Sequence, residues 1–350
     1  MVIQNPVLGI IGGGQLGSML AVAAKKLKIK TVVLSEDPKS PAKNFCDEII
    51  ISKYDKLKNI EDFANKVNVV TFEFENIPFK VLEHISKLKP VFPKPSINQI
   101  LQNRFTEKKF INNMGIRTTS YALIKNQSDI LNNEDLLPGL LKTCTLGYDG
   151  KGQFVLNNKE KASELAIKFD KEYILEKKIE LKKEISIIIT RFLNNDFVIY
   201  EPVENLHINQ MLSRSIIPAE IDMAISEKAQ QQARVIAEKL DYVGTMCVEY
   251  FIDNKNDLFV NEIAPRVHNS GHLTINTHNV SQFENHIRAV CNLEKVELKK
   301  IYNAEMINII GGEIRTYREK SYAKNEFFYD YSKSEIKEKR KMGHLTTIKP

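Results

Sequence analysis

Residues 9–17 read GIIGGGQLG and join an apolar run, VLGII, to a helix-like stretch, QLGSMLAVAAKKLK. A strand that enters a helix through three closely spaced glycines leaves few folds open. Gly12, Gly14 and Gly17 match the G-x-G-x-x-G turn, in which N–H groups at a helix N-terminus receive an anion. A second apolar run, TVVL, leads straight into Ser35, Glu36 and Asp37, where a dinucleotide fold carries its ribose-binding acid. Two readings follow: a nicotinamide enzyme, or the same turn serving another phosphate-bearing ligand.

Up to residue 95 strand and helix patterns alternate. VLGII, TVVL, DEIII and VNVVTFEF read as strands, and 15–28, 57–66 and 78–87 as helices. This rhythm predicts a doubly wound α/β domain over 1–95, with a parallel sheet and crossover helices. The stretch KPVFPKPS interrupts both periods with three prolines and marks a boundary. A helix over 96–114 follows. Residues 138–205 then carry strand signals (LPGLLKTC, GQFVL, EYILEKKI, EISIIITRF, FVIYEPV) with one helical run at 158–169. Ile225, Ala229, Ala233, Ile236 and Leu240 line one face of a helix over 224–240. GTMCVEYFI and DLFVNEIA form a hairpin around DNKN. The expected units are 1–95, 96–292 and a small β-rich 293–350.

Composition narrows the function classes. None of the apolar runs in the 350 residues approaches the roughly 18 to 20 residues of a membrane span. MVIQNPVLGII enters a strand without a leader pattern, so no signal peptide is expected. Cys46, Cys144, Cys247 and Cys291 lie far apart, which argues against a disulfide framework or structural zinc and favours the cytoplasm. The net charge of +6 is spread over mixed-sign helices such as SEKAQQQARVIAEKL, and acids dilute the one dense cluster, KSEIKEKRK. An anionic small substrate suits this balance better than nucleic acid.

Three segments carry chemistry. In LLKTCTLGYDGKGQFVL (140–156), Lys142 precedes a loop with Gly147, Gly150 and Gly152 around Tyr148, Asp149 and Lys151. Glycines this dense let backbone N–H groups wrap a phosphate, although a plain hairpin turn is the alternative. In the hairpin, alternation puts Glu249 with Thr245 and Cys247 on one face, and Glu262 with Val260 and Leu258. Two glutamates in apolar strands need a partner or a cation, and hard oxygens beside nucleotide phosphates suit Mg²⁺; separate salt bridges are the alternative. The turn IAPRVHNSGH then crowds Arg266, His268, Asn269, Ser270 and His272 together, an anion-handling set. A zinc reading of His268 and His272 needs a helix there, which Pro265 and Gly271 oppose. Finally, TFEFEN (71–76) puts Glu73 and Glu75 on one face opposite Phe72 and Phe74, with Asn76, at the rim of the first sheet.

In this order, IIGGGQLG, TFEFEN, LKTCTLGYDGKGQ, EPVENLH, YVGTMCVEYF, NEIAPRVHNSGH, SQFENHIRA and RKMGH resemble the ATP-grasp superfamily. Within it the chain resembles the N5-carboxyaminoimidazole ribonucleotide synthetases of purine biosynthesis, over nearly its whole length. The resemblance implies a Rossmann-like first domain that binds no dinucleotide, then an ATP-grasp domain, then a small C-terminal one. It implies ATP-dependent conversion of bicarbonate to carboxyphosphate and carboxylation of 5-aminoimidazole ribonucleotide, with Mg²⁺ and without biotin or NAD, in a homodimer. The glycine turn is expected to receive the 5′-phosphate. By position, the resemblance assigns ATP to Arg104, Lys142, the loop Gly147–Gln153, the segment Glu176, Lys177, Lys178 and Ile179, and to Glu184, His207, Asn261 and Glu262. Glu249 and Glu262 are the implied Mg²⁺ ligands. Arg266, His268, Asn269, Asp149 and Lys341 carry catalysis. Gln15, Leu16, Glu73, Asn76, Tyr148, Lys333, Arg340 and Lys341 surround the ribonucleotide. The tail departs from the family pattern: YSKSEIKEKRKMGH has Lys337, Glu338 and Lys339 where that pattern has Arg, Pro and Gly, and the chain ends sooner than expected. A formate-dependent glycinamide ribonucleotide transformylase of the same superfamily, an NAD(P) oxidoreductase and a silent nucleotide-binding module are the rival readings.

Overall fold

Four strands, β1 (Val7–Ile11), β2 (Lys30–Ser35), β3 (Glu48–Ile51) and β4 (Val69–Phe72), pair in parallel in the order β3-β2-β1-β4. They alternate with α1 (Gln15–Lys26) and α2 (Leu57–Asn65), and α3 (Phe79–Ser86) follows β4. The strand order reverses beside β1, so the rim at the ends of β1 and β4 is the topological switch point where such sheets bind ligands. Apolar side chains on both faces of β1 explain its unbroken apolar run. Leu8 and Ile10 pack on Leu16, Leu20 and Ala24 of α1, and Ile11 packs on Phe63 and Val70. The computed structural model describes residues 6–147 and 152–349.

The helix expected over 96–114 is two helices, α4 (Pro95–Leu101) and α5 (Arg104–Asn113). Asn103 divides them. Its side chain caps α5 by accepting from the N–H groups of Phe105 and Thr106 at 2.9 and 3.2 Å, which holds its own backbone extended. A small antiparallel sheet follows, β5 (Tyr121–Ile124), β6 (Gly139–Thr143), β7 (Gln153–Leu156) and β8 (Tyr173–Lys177), in the order β5-β8-β6-β7, with α6 (Gln127–Asn132) and α7 (Lys159–Ser163) beside it. The helix expected to run to 169 stops at Ser163. Beyond it Leu165, Ile167 and Phe169, spaced by two, pack on the core of this sheet, a period that extended chain satisfies and a helix does not.

The third sheet is antiparallel. It contains β9 (Leu181–Arg191), β10 (Phe197–Ile199), β11 (Val203–Ile208), β12 (Met211–Ile217), β13 (Gly244–Asp253), β14 (Leu258–Ala264), β15 (Asn303–Ile310), β16 (Glu326–Asp330) and β17 (Lys341–Lys349). Its order is β14-β13-β9-β11-β12-β15-β17-β16, with β10 on β9, so the C-terminal strands extend the central sheet through β12 and β15. The strands β5 and β12 carry no expectation above. Helix α8 (Met223–Lys239) lays Ile225, Ala229, Ala233 and Ile236 against β9 and β13. The short α9 (Thr274–Thr277), α10 (Gln282–Val290) and α11 (Ile314–Glu319) complete the chain. Buried His286 of α10 ties the parallel sheet to the large one: one ring nitrogen is 2.8 Å from Thr71 Oγ1 of β4, and the other accepts from the Thr245 N–H of β13 at 3.0 Å.

Candidate active site

The hairpin of β13 and β14 contains a bulge that decides the site. Glu249 pairs with Glu262, but the next residue, Tyr250, pairs with Val260, so Asn261 is the extra residue. One extra residue reverses the alternation. Glu262 therefore leaves the face of Val260 and Leu258, where simple alternation places it, and stands opposite Glu249; Ile263 takes the core side with Val260. Two carboxylates now share one face. Burial and then Glu262 push the Glu249 carboxyl up to about 7. Burial would raise Glu262 too, but the charge and hydrogen bond of Arg104, followed by Lys142, hold it at about 2. Mutual repulsion between adjacent, partly buried carboxylates is what a divalent cation relieves, and an all-oxygen pair suits Mg²⁺.

Arg104 opens α5 and bridges this pair to the glycine loop. Its Nη1 donates to Glu262 Oε2 at 2.8 Å and its Nη2 to the Gly147 carbonyl at 3.1 Å. Lys142 Nζ donates to Glu176 Oε2 at 3.0 Å, and Lys108 Nζ lies 3.5 Å from the same oxygen. Burial opposes the ionised Glu176, yet Lys108 and then Lys142 keep it at about 2. Gln153 begins the return strand opposite Lys142, with Gly152 in the turn before it. Tyr148, Asp149, Gly150 and Lys151 lie outside the described residues. The N–H groups of Lys177 and Lys178 already donate to the Ser120 and Pro138 carbonyls at 2.8 and 2.9 Å. An adenine edge held there would use the remaining backbone groups, those of Ile179 among them. Glu184 of β9 faces His207 of β11, its Oε2 2.6 Å from Nδ1, and, against burial, holds that imidazole above its ordinary value.

The turn after β14 supplies the anion-handling groups. Arg266 forms a bidentate pair with Glu75, with Nη2 donating to Oε1 at 3.1 Å and Nε donating to Oε2. Burial alone would raise Glu75; the guanidinium holds it below the usual carboxylate range. Helix α4 fixes the turn carrying Glu75, because Asn98 and Gln102 donate to the Glu75 carbonyl at 2.9 and 2.6 Å. His268 Nε2 lies 3.1 Å from Glu249 Oε1. Its Nδ1 accepts from the Ser270 N–H at 3.3 Å, which leaves the ring proton on Nε2, directed at Glu249. Burial, then the charges of Arg266 and Lys341, lower His268 to about 3, so it is a neutral donor near pH 7. Asn269 accepts from Asn308 Nδ2 at 2.8 Å, and its own Nδ2 is buried without a partner among the described residues. His272 turns away on a 3₁₀ turn (Asn269–Leu273) and packs on Phe283 and His344, so no His268–His272 pair forms.

At the rim of the parallel sheet the glycine turn is filled by the protein itself. The strand β4 ends at Phe72, so the expected alternation over TFEFEN stops there. Phe74 is 43% exposed, buried Glu73 turns into the glycine turn, and Glu75 turns to Arg266. Glu73 accepts from the N–H groups of Gly14 and Gly17, the latter at 2.8 Å. Gly12 has φ +98°, and a Cβ at Gly17 would stand 2.6 Å from the Gly12 carbonyl oxygen, so this tight turn requires glycine. A carboxylate thus takes two of the donors expected to receive the 5′-phosphate. The Leu16 side chain lies in the core. Gln15 Oε1 accepts from Lys333 Nζ at 2.7 Å; the same ammonium donates to the Lys341 carbonyl at 2.6 Å. Arg340 Nη1 donates to the Glu335 carbonyl at 3.2 Å, and Asn76 sits half-buried beside Glu75. Lys333 thus meets the start of α1, whereas the charge of Lys341 acts on His207, Glu249 and His268.

Comparison with known proteins closes the identification. Residues 6–102 match the ribonucleotide synthetase preATP-grasp domain, 109–283 the ATP-grasp domain, and 304–350 the phosphoribosylaminoimidazole carboxylase C-terminal domain. The chain is 38% identical to the N5-carboxyaminoimidazole ribonucleotide synthase of Bacillus subtilis, over 100% of this chain and 93% of the relative. It is 37% identical to that of Brucella melitensis, over 98% and 96%. The chain belongs to the N5-carboxyaminoimidazole ribonucleotide synthase family. A crystal structure of an N5-carboxyaminoimidazole ribonucleotide synthetase with ADP superposes with a TM-score of 0.93 at 38% identity, covering 100% of this chain and 94% of that one. The enzyme of Aspergillus clavatus, solved with ADP and the aminoimidazole ribonucleotide, gives a TM-score of 0.90 at 28% identity, covering 99% and 94%. The protein is therefore an ATP-dependent ligase of the ATP-grasp type, a class that works with Mg²⁺. No helix among the described residues is long and apolar enough to cross a membrane.

Sequence reasoning placed Glu75 at the rim without its link to Arg266, and missed Glu107 and Lys108. Lys108 stands one helical turn after Arg104 and hence on the same face of α5. That spacing was the available signal.

Proposed function

We infer that this site carboxylates the amine of 5-aminoimidazole ribonucleotide to the N5-carbamate in de novo purine synthesis, using ATP and bicarbonate. A bicarbonate oxygen attacks the γ-phosphorus and ADP leaves. The resulting carboxyphosphate, or the carbon dioxide it releases, takes the amine, and phosphate departs. The observation that carries the reading is the pairing of Glu249 with Glu262 between Arg104 on the nucleotide side and His268 on the bicarbonate side. Bound between those carboxylates, Mg²⁺ would offset charge on the transferring phosphoryl group. Arg104 and Lys142 meet the ATP phosphates, Glu184 with His207 the ribose end, and Gly147–Gln153 closes over them to keep water from carboxyphosphate. Arg266, aimed by Glu75, holds bicarbonate by its remaining guanidinium N–H groups, while Asn269 Nδ2, and neutral His268 once Glu249 turns to Mg²⁺, donate to its developing charge. Lys333, Arg340 and Lys341 take the 5′-phosphate, and Gln15, Glu73, Asn76 and Tyr148 frame the ribonucleotide. Asp149 orients the attacking amine. The three units 1–95, 96–292 and 293–350, a homodimer and a cytoplasmic setting belong to the same reading through the family.

ADP release with Mg·ATP and bicarbonate tests it, measured with and without 5-aminoimidazole ribonucleotide, with formate plus glycinamide ribonucleotide as control. Strong stimulation by the aminoimidazole nucleotide, lost in Asp149→Asn and Arg266→Ala, is the expected result. Stimulation by the formate pair instead would transfer the protein to the other ligase.

A further inference from the structure

Cys247 lies two residues before Glu249 on β13 and shares its face of the sheet. Its sulfur, a Glu249 carboxylate oxygen and a His268 ring nitrogen all lie within 4.8 Å of one another. The mechanism gives this thiol no task. A sulfur, an imidazole nitrogen and a single carboxylate are a poor set for Mg²⁺, which takes oxygen. They are the donor set of a borderline-soft cation such as Zn²⁺. In tetrahedral Zn²⁺ with bonds of about 2.0–2.3 Å, neighbouring ligand atoms stand roughly 3.3–3.6 Å apart. His268 Nε2 and Glu249 Oε1 are 3.1 Å apart, so shifts of about 1 Å complete the site.

We propose that Cys247, Glu249 and His268 form a second, thiophilic metal site that captures Zn²⁺ and so blocks the Mg²⁺-dependent reaction. The surroundings are already arranged for it. The ring of His268 is oriented by Ser270, whose N–H and hydroxyl lie 3.3 and 2.9 Å from Nδ1, and a shift of the ring proton from Nε2 to Nδ1 frees Nε2 for the cation. Ser270 is held in turn by Ser186 at 2.7 Å, and Ser186 by Asn205 at 3.0 Å. With the ring proton on Nδ1, the Ser270 hydroxyl can accept it, the arrangement that holds a metal-binding imidazole in one tautomer. Cys247 itself is fully buried, whereas the side chains of Glu249 and His268 each keep 13% exposure. Entry is therefore from their side, and the fourth position faces the nucleotide cleft. On binding, the Cys247 S–H bond breaks, its proton goes to solvent, and sulfur forms a bond to the cation; His268 loses its Nε2 proton to solvent and gains one at Nδ1, which gives up the Ser270 N–H and donates to the Ser270 hydroxyl, and no electrons are transferred. Glu249 then ceases to serve Mg²⁺ and His268 ceases to serve bicarbonate.

Titration of the whole purified chain with Co²⁺, without substrates, tests binding independently of the proposed reaction. One Co²⁺ per chain with a thiolate-to-cobalt absorption band is expected, abolished by one equivalent of Zn²⁺. In turnover assays Zn²⁺ should inhibit and a chelator restore activity. Cys247→Ser should lose the band and need at least about 10-fold more Zn²⁺ for the same inhibition, while its Mg²⁺-supported turnover stays near that of the parent. His268→Gln, read by the Co²⁺ spectrum alone, should also lose or weaken the band, and it serves if the serine variant does not fold. A band that persists in Cys247→Ser, no thiolate band at all, or unchanged Zn²⁺ sensitivity overturns the proposal.

Discussion

Arg266 is aimed by a single carboxylate, and that makes Glu75 a positioning residue with a measurable share in catalysis. The pair is mostly out of solvent, with side chains 18% and 28% exposed, so truncating one partner leaves the other charge unpaired. Glu75→Ala should cost about 3 kcal/mol in urea denaturation. It should also lower bicarbonate-dependent kcat at least about 10-fold, because a misaimed guanidinium no longer presents its fork, while the KM for ATP holds within about twofold. Glu75→Gln keeps an acceptor and should fall between. The decisive comparison is a double-mutant cycle: Arg266→Ala should add little in the Glu75→Ala background. Full additivity would mean that the two side chains act independently, and the positioning role would be withdrawn.

At the scale of elements, the bulge at Asn261 is maintained from across the site by α5. Lys108 Nζ donates to the Asn261 carbonyl at 3.2 Å, and Glu107 Oε1 accepts from the Ile263 N–H at 2.6 Å. The two contacts grip the backbone on either side of Glu262. Burial and then the Glu262 charge raise Glu107, which keeps its carboxyl neutral more readily than a surface acid. Glu107→Ala frees that N–H, so Glu262 should drift from Glu249 and the Mg²⁺ concentration for half-maximal ADP formation should rise about 10- to 100-fold. Glu107→Gln preserves an acceptor and should stay near the parent. An unmoved Mg²⁺ midpoint in Glu107→Ala would separate α5 from the cation site. The same bulge shows where sequence pattern stops being legible. Periodicity placed β1 through β4, α8 and the hairpin, because each buries a face whose spacing is written in the residues. It also brought out both glutamates and the Arg266 turn. It could not place Glu262 on its face, since an inserted residue leaves no mark in composition. Nor could it place Glu73 in the glycine turn, since a carboxylate and a phosphate ask the same of backbone N–H groups. The Asn103 cap was hidden for a similar reason, as the apolar spacing runs on across it.

For the whole molecule, the question is what holds the parallel sheet against the large one so that the rim and the paired glutamates face each other. Part of the answer is His286, fully buried between Thr71 of β4 and Thr245 of β13. It must be neutral to work, because its Nδ1 accepts from a backbone N–H. Burial lowers it to about 3, and burial lowers His344, which meets Tyr331 Oη at 3.0 Å, to about 3 as well. In the unfolded chain both titrate near 6.5. Between about 6.5 and 3, then, the unfolded state binds protons that the native state refuses, and stability falls as pH falls. Each such histidine removes about 1.4 kcal/mol per pH unit in that window and nothing above it. Urea denaturation between pH 7.5 and about 5 should therefore show flat stability down to the upper edge of the window and a steepening loss below. His286→Gln retains an acceptor for Thr245 and a donor for Thr71 but has no proton to gain. Its loss per pH unit should be shallower than the parent's by about one histidine's worth, whatever its stability at pH 7.5. If the variant and the parent lose stability in parallel, His286 titrates equally in both states, and the join between the sheets owes its acid sensitivity to other groups.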